Sequence, residues 1–282
     1  MPRWTIDGPG TVDLGDFAAL RVRLVSGSLA ILATDDAPAL DVASLSGQPL
    51  QVAHEAGILT ITYDDLRLEG LLGWLRLQRH EADITLTVPA GCPMRIGVLN
   101  ASATVAGVAA SISAKSVSGD LMLDGVTGTV AAKTVSGNME ARGLDGGVAF
   151  SSVTGGLTLA SSSVRHLAAK TVSGQVTADI DVPDGGGLRI STVSGEVAVR
   201  LPVCSSVQVD LRSAAGRVHC TFDGMRSGDG QGPASVTGIL GSGSASLSVA
   251  SMSGDVTLLA RAERASPGQP AEPAAKRQGG AS

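Results

Sequence analysis

From Lys115 to Gly155 a glycine returns every nine residues, at Gly119, Gly128, Gly137, Gly146 and Gly155. Every second one closes the same phrase: Ser116-Val117-Ser118-Gly119, Thr134-Val135-Ser136-Gly137 and Ser152-Val153-Thr154-Gly155. Between the glycines apolar and polar residues alternate, which is the period of a strand. A chain punctuated in this way folds into short strands joined by tight turns. Its true repeat is eighteen residues, because odd and even turns differ. The even turns read Asp124-Gly125-Val126-Thr127-Gly128 and Gly143-Leu144-Asp145-Gly146.

Two kinds of turn per repeat suit a coil with two walls and two corners. The expected fold is therefore all-β, a β-solenoid with roughly 18-residue two-strand coils. An antiparallel sandwich or meander is the alternative, since turns ending in a glycine also make hairpins. In a solenoid the phrase serves as a corner: the first hydroxyl bonds back to the backbone and the glycine takes up positive φ. One direction of alternation sends Leu121, Leu123, Val130, Ala132, Met139, Ala141, Val148, Phe150, Leu157 and Leu159 inward. Further phrases stand at Gly174, Gly195 and Gly254, with a degraded copy at Ser213-Ala214-Ala215-Gly216. The corner glycines are thus Gly119, Gly137, Gly155, Gly174, Gly195 and Gly254. The 38 residues between Gly216 and Gly254 read as two units holding a glycine-rich insert. Seven or eight coils stacked at the strand spacing make a rod segment on the order of 35 Å long.

Composition supports a thin core. The 282 residues include 37 glycines and six aromatics, so the interior must be Val, Leu, Ile and Ala between close walls. Residues 1–93 read as an N-terminal β region that caps or continues the stack. Residues 94–260 form the regular repeat. The segment 261–282, broken by Pro267, Pro270 and Pro273, reads as a disordered tail.

The repeated Ser/Thr-Val-Ser-Gly phrases, at Gly119, Gly137, Gly174 and Gly195, follow a region that ends in Val88-Pro89-Ala90-Gly91. Together they resemble the bacterial "putative adhesin" β-strand-repeat domains, a family of unknown function, over about Leu20 to Leu259. The resemblance implies a β-solenoid without known catalytic residues, and relatives linked to envelope stress or surface roles.

Motifs of chemistry are sparse. Asp124 and Glu140 could be cast as an acid/base pair of a polysaccharide-cleaving β-helix, but nothing in the pattern desolvates them. The four histidines have no metal-ligand spacing, and Cys92, Cys204 and Cys220 form neither a zinc set nor a disulfide framework. The expectation is a non-enzyme without cofactor or metal: a scaffold or binding protein, with a self-assembling structural element as the alternative. Its partner would be a protein, a glycan or a membrane surface. The net charge of -5 and pI near 5.3 argue against nucleic acid. No signal peptide or spanning segment is read, so the expected location is cytoplasmic, with peripheral membrane attachment as an extension. The Leu-rich stretch with Leu71, Leu72, Trp74 and Leu75 is the candidate partner contact, against a plainer reading as a cap on the stack. The wall bearing Ala131, Lys133, Ala149, Ser151, Ala168 and Lys170 reads as flat and lightly charged.

Overall fold

Alternation in the sequence becomes alternation in burial. In Glu81–Val88 every second side chain, from Ala82 to Val88, is buried, and the same holds for strand after strand. A computed structural model of the chain describes residues 3–63, 80–228 and 232–262. Among these it contains strands and turns and no helix. The first eight strands are β1 (Arg3–Ile6), β2 (Gly10–Asp13), β3 (Ala19–Leu24), β4 (Ser26–Ala33), β5 (Ala39–Ser46), β6 (Leu50–Glu55), β7 (Ile58–Tyr63) and β8 (Glu81–Val88). The middle of the chain supplies β9 (Met94–Val98), β10 (Ser102–Ala106), β11 (Ile112–Ser116), β12 (Leu121–Asp124), β13 (Thr127–Lys133), β14 (Met139–Arg142) and β15 (Asp145–Ser151). Then come β16 (Leu157–Thr171), which turns a corner within itself, β17 (Val176–Asp181), β18 (Gly187–Thr192) and β19 (Val197–Pro202). The last six are β20 (Val207–Ser213), β21 (Val218–Cys220), β22 (Arg226–Ser227), β23 (Ala234–Ile239), β24 (Ala245–Ser251) and β25 (Val256–Arg261).

Parallel pairing at a separation of one coil makes this a two-walled β-solenoid. The first wall runs β7, β3, β9, β11, β13, β15, the second half of β16, β18, β24, β20. The second runs β8, β4, β10, β12, β14, the first half of β16, β17, β19, β25, β21. Ten coils at the strand spacing make a rod on the order of 45 Å, longer than the regular repeat alone predicts, because the N-terminal strands join the same stack. All the inward residues anticipated for β12 to β16 are buried. Val218, Cys220 and Phe222 are only half-buried, because β21 lies at the end of its wall. Cys92 is buried, Cys220 half-buried and Cys204 exposed.

Chain order and stack order part company at both ends. The coil β3–β4 is made first but lies between β7–β8 and β9–β10. At the other end, β24–β25 is made last but slots between β18–β19 and β20–β21. The 38-residue gap is thus a detour: the chain lays down the terminal coil, reverses through β22 and β23, and returns to fill the vacant level. Antiparallel strands flank the outermost coils: β6 then β1, and β5 then β2, at one end, and β23 then β22 at the other. Arg261, assigned by sequence to the tail, closes β25 and is mostly buried, with ion pairs to Asp179 and Asp181 two coils away. It staples the inserted coil to the stack.

The corner glycines serve a purpose other than the one expected. None of Gly119, Gly137, Gly155, Gly174, Gly195 and Gly254 has positive φ. A Cβ on Gly155 would lie 2.0 Å from the carbonyl oxygen of Gly137, and the same clash repeats up the column. Glycine is needed because successive coils approach too closely at this corner to admit a Cβ. Around it the hydroxyls behave as the sequence suggests: Thr134, Ser152, Thr171, Thr192 and Ser251 each accept the N–H of the glycine three residues on, at 2.7–2.9 Å. The third residue of each phrase anchors to the neighbouring coil. The Ser136 N–H and hydroxyl both donate to the Val117 carbonyl, at 2.9 and 3.2 Å. Positive φ belongs to the other corner, where Gly125 and Gly143 both adopt φ 58°.

Candidate functional site: a basic wall beside an apolar ridge

Residues eighteen or so apart in sequence become neighbours in a column, so the coil sorts charge by wall. On the outer face of the first wall one column reads Arg21, Arg95, Ser113, Ala131, Ala149, Ala168, Arg189. The next reads Arg23, Gly97, Lys115, Lys133, Ser151, Lys170, Ser191. Over these seven levels the two columns carry Arg21, Arg95, Arg189, Arg23, Lys115, Lys133 and Lys170 and no carboxylate; beyond them they continue through Ser248 to Asp210 and through Ala250 to Arg212, which pair with each other at 2.8 Å. Among the described residues none of the seven makes an ion pair, and all but the half-buried Arg21 are exposed. Arg21, Arg23, Arg95, Ser113 and Lys115 line a shallow open depression. Over these seven levels the two columns are therefore basic, because the arginines of neighbouring coils join the lysines of the small-residue face that the sequence reading covered.

The second wall is its counterpart in sign, with its acids largely engaged. Arg200 holds Asp179 at 2.6 Å, Arg142 holds Glu140 at 3.1 Å and Arg217 holds Asp255 at 2.6 Å. The Arg217 N–H and guanidinium keep the Asp255 carboxyl below its ordinary range. Hydroxyls of Ser28 and Ser44 do the same for Asp83, each at 2.7 Å. Asp120 accepts the Asn138 N–H at 2.7 Å, and Asn138 in turn accepts that of Gly156 at 2.9 Å. The anticipated pair of Asp124 and Glu140 does not face itself. Asp124 stands opposite Arg142, and Glu140 opposite Met122, on an open face. Among the described residues no group of three or more His, Cys, Asp or Glu side chains is placed to hold a metal ion.

Between the walls, at the glycine corner, the second residue of each phrase points outward. Val117, Val135, Val153, Val172, Val193 and Met252 stack in register and stay 39–62% exposed. They form a continuous apolar ridge about 24 Å long at the strand spacing. Each valine lies two residues beyond the last outward position of the first wall. Hence Lys115, Lys133 and Lys170 stand directly beside Val117, Val135 and Val172. Neither wall charge nor ridge was visible without the register, although the eighteen-residue recurrence of Lys115 and Lys133 was a signal available in the sequence. Leu71, Leu72, Trp74 and Leu75 lie outside the described residues.

This architecture defines a class: a repeat β-solenoid that presents two broad walls of stacked strands. The family model described as Toastrack DUF4097 matches residues 41–259, and the chain belongs to that family. Two crystal structures are similar over most of their length. One is a "putative cell adhesion protein" from Clostridium sporogenes ATCC 15579, 13% identical, covering 90% of this chain and 99% of that one, TM-score 0.27. The other is a "putative lipid binding protein" from Parabacteroides distasonis ATCC 8503, 15% identical, covering 89% and 97%, TM-score 0.46. No curated protein matches the sequence.

Proposed function

We propose that this protein is a non-catalytic binding scaffold that engages an anionic partner through its basic wall. The observation that carries the reading is the pair of columns from Arg21 to Ser191, with seven cations, no carboxylate and no internal ion pair among the described residues. A chain with net charge -5 that collects unpaired cations on one face has an electrostatic footprint for a partner of opposite sign. The regular spacing of about 4.8 Å between levels offers repeated contacts to an extended or planar anion. A non-catalytic role is supported by the second wall, whose acids are exposed or committed to arginines and hydroxyls.

The alternative, growth into an end-to-end filament, is disfavoured by the ends. The outermost strands are short, β22 having two residues and β21 three, and antiparallel flanks break the parallel ladder that a stacking copy would extend. Immobilised heparin tests the proposal as a generic polyanion. The chain should be retained at low salt and released as salt rises past physiological strength. The triple variant Lys115→Gln, Lys133→Gln, Lys170→Gln should elute markedly earlier; equal elution of the two would refute the reading.

A further inference from the structure

We propose that the partner is an anionic lipid bilayer, docked along the edge where the lysine column meets the valine ridge. The proposal rests on the reading of the basic wall as an anion-binding surface and names its occupant. Two observations of different kinds coincide on this edge. Lys115, Lys133 and Lys170 offer positive charge without internal partners among the described residues. Beside them runs an apolar ridge that the fold leaves in solvent: Val117 is 39% exposed, Val135 49%, Val153 46%, Val172 46% and Val193 42%. Exposed apolar area of this kind, on the order of 300 Å² in one strip, falls in the range where monomers carry functional patches.

Structure alone does not require valine there. The corner is held by its glycine, by the first hydroxyl and by the third residue's N–H and hydroxyl, while the second side chain makes no hydrogen bond and points away from the core. A threonine or serine would satisfy the corner equally. Six consecutive levels nonetheless carry Val or Met. An apolar strip flanked by lysines is the pattern of a surface that lies in the bilayer interface. The lysine stems follow the apolar boundary, and their ammonium groups reach anionic headgroups.

Charge complementarity separates this occupant from others. A second copy would have to offer its acidic wall, yet Asp179, Asp255 and Glu140 there are already held by Arg200, Arg217 and Arg142. A polysaccharide or nucleic acid would use the cations but has no use for the ridge. A planar anionic surface uses both, and a straight edge about 24 Å long suits a plane.

The test uses the full chain with extruded vesicles of 30% phosphatidylglycerol in phosphatidylcholine, against phosphatidylcholine alone, read by co-sedimentation. The chain should bind the anionic vesicles and not the neutral ones. Lys115→Gln, Lys133→Gln, Lys170→Gln should weaken vesicle binding on the order of a hundredfold, as each lysine near an anionic surface counts about fivefold. The variant Val135→Thr, Val153→Thr, Val172→Thr should lose vesicle binding at least fivefold while its heparin elution stays unchanged. Vesicle binding that is absent, or indifferent to the valine changes, while lysine-dependent heparin binding persists, overturns the bilayer and leaves a polyanion surface. Loss of lysine dependence on both heparin and vesicles instead overturns the wall itself. Should a triple variant fail to fold, the single changes Lys133→Glu and Val153→Thr carry the same contrast.

Discussion

The middle of the stack and its two ends solve the same problem in different ways. From β11 to β19 the chain winds in order, and from Gly137 to Gly195 each glycine corner repeats one arrangement: the first hydroxyl accepts the glycine N–H, the third residue donates to a carbonyl one coil away, and glycine lies on glycine. A single solution is copied, so each level depends on identical neighbours on both sides. At the ends the next coil is missing, and the chain improvises. It inserts coils out of order, adds antiparallel strands, buries Tyr63 against His80, and ties Arg261 across two levels. Periodicity produces stability where every level has two neighbours. Where one neighbour is absent, individual contacts have to replace it, and individual contacts leave no period to read.

The largest expected effect puts that difference to a direct test. A Cβ at Gly155 would sit 2.0 Å from the Gly137 carbonyl oxygen, with a coil on each side preventing relief. Gly155→Ala should cost about 3–5 kcal/mol, at the upper end for one substitution. The equivalent Gly216 stacks on Gly254 alone, at 2.4 Å, in the terminal coil. There the last coil can detach while the rest stays folded, so Gly216→Ala should cost only about 1–2 kcal/mol. Denaturant unfolding measures both, and equal costs would mean that the ends are as rigidly coupled as the middle.

Tyr63 gives the next effect, at the N-terminal end. Its ring is fully buried and stacked on His80 with centroids 5.1 Å apart, and its buried hydroxyl has no hydrogen-bond partner among the described residues. Burial, and secondarily the charge of Glu81, push its pKa up to about 12. A raised pKa means the folded state holds the proton more tightly than the unfolded chain, whose tyrosine titrates near 10. The stability is complete below about pH 10 and is lost as pH rises toward 12, by about 2–3 kcal/mol for two units. Tyr63→Phe should remove that part of the alkaline loss and cost little or nothing at neutral pH, since no hydrogen bond is given up. Parallel alkaline unfolding of the two proteins would assign the loss to other groups.

How far the fold was legible follows the same division. The eighteen-residue period, the inward residues from Leu121 to Leu159 and the solenoid itself could be read because identical levels impose identical residues. The slotting of β24–β25 beneath β18–β19 could not, since Gly216 and Gly254 carry the same phrase whichever is stacked first. Arg261 looked like tail because its partners Asp179 and Asp181 lie some eighty residues back. The candidate site was harder still. Arg21, Arg95, Lys133 and Arg189 form one surface only after the register is known, and in linear order they are diluted by the acids of the other wall. The valines of the phrase were plain in the sequence. That they face outward depends on corner geometry, which alternation along strands does not report.

Within the middle itself, the two corners of a coil supply the finest and smallest contrast. Gly143 adopts φ 58°, and a Cβ there would meet nothing closer than 3.8 Å. Its glycine answers to backbone conformation, whereas Gly155, two strand ends away, answers to lack of room. Alanine in the left-handed region costs about 1 kcal/mol, and asparagine less, because its short polar side chain tolerates that region. Gly143→Ala should therefore cost about 1 kcal/mol and Gly143→Asn recover most of it. No such recovery is expected of Gly155→Asn, where any Cβ meets the same carbonyl. Thermal melts of the four variants distinguish the causes. If asparagine rescued both corners, the close approach of coils would not be what demands glycine in the repeated phrase.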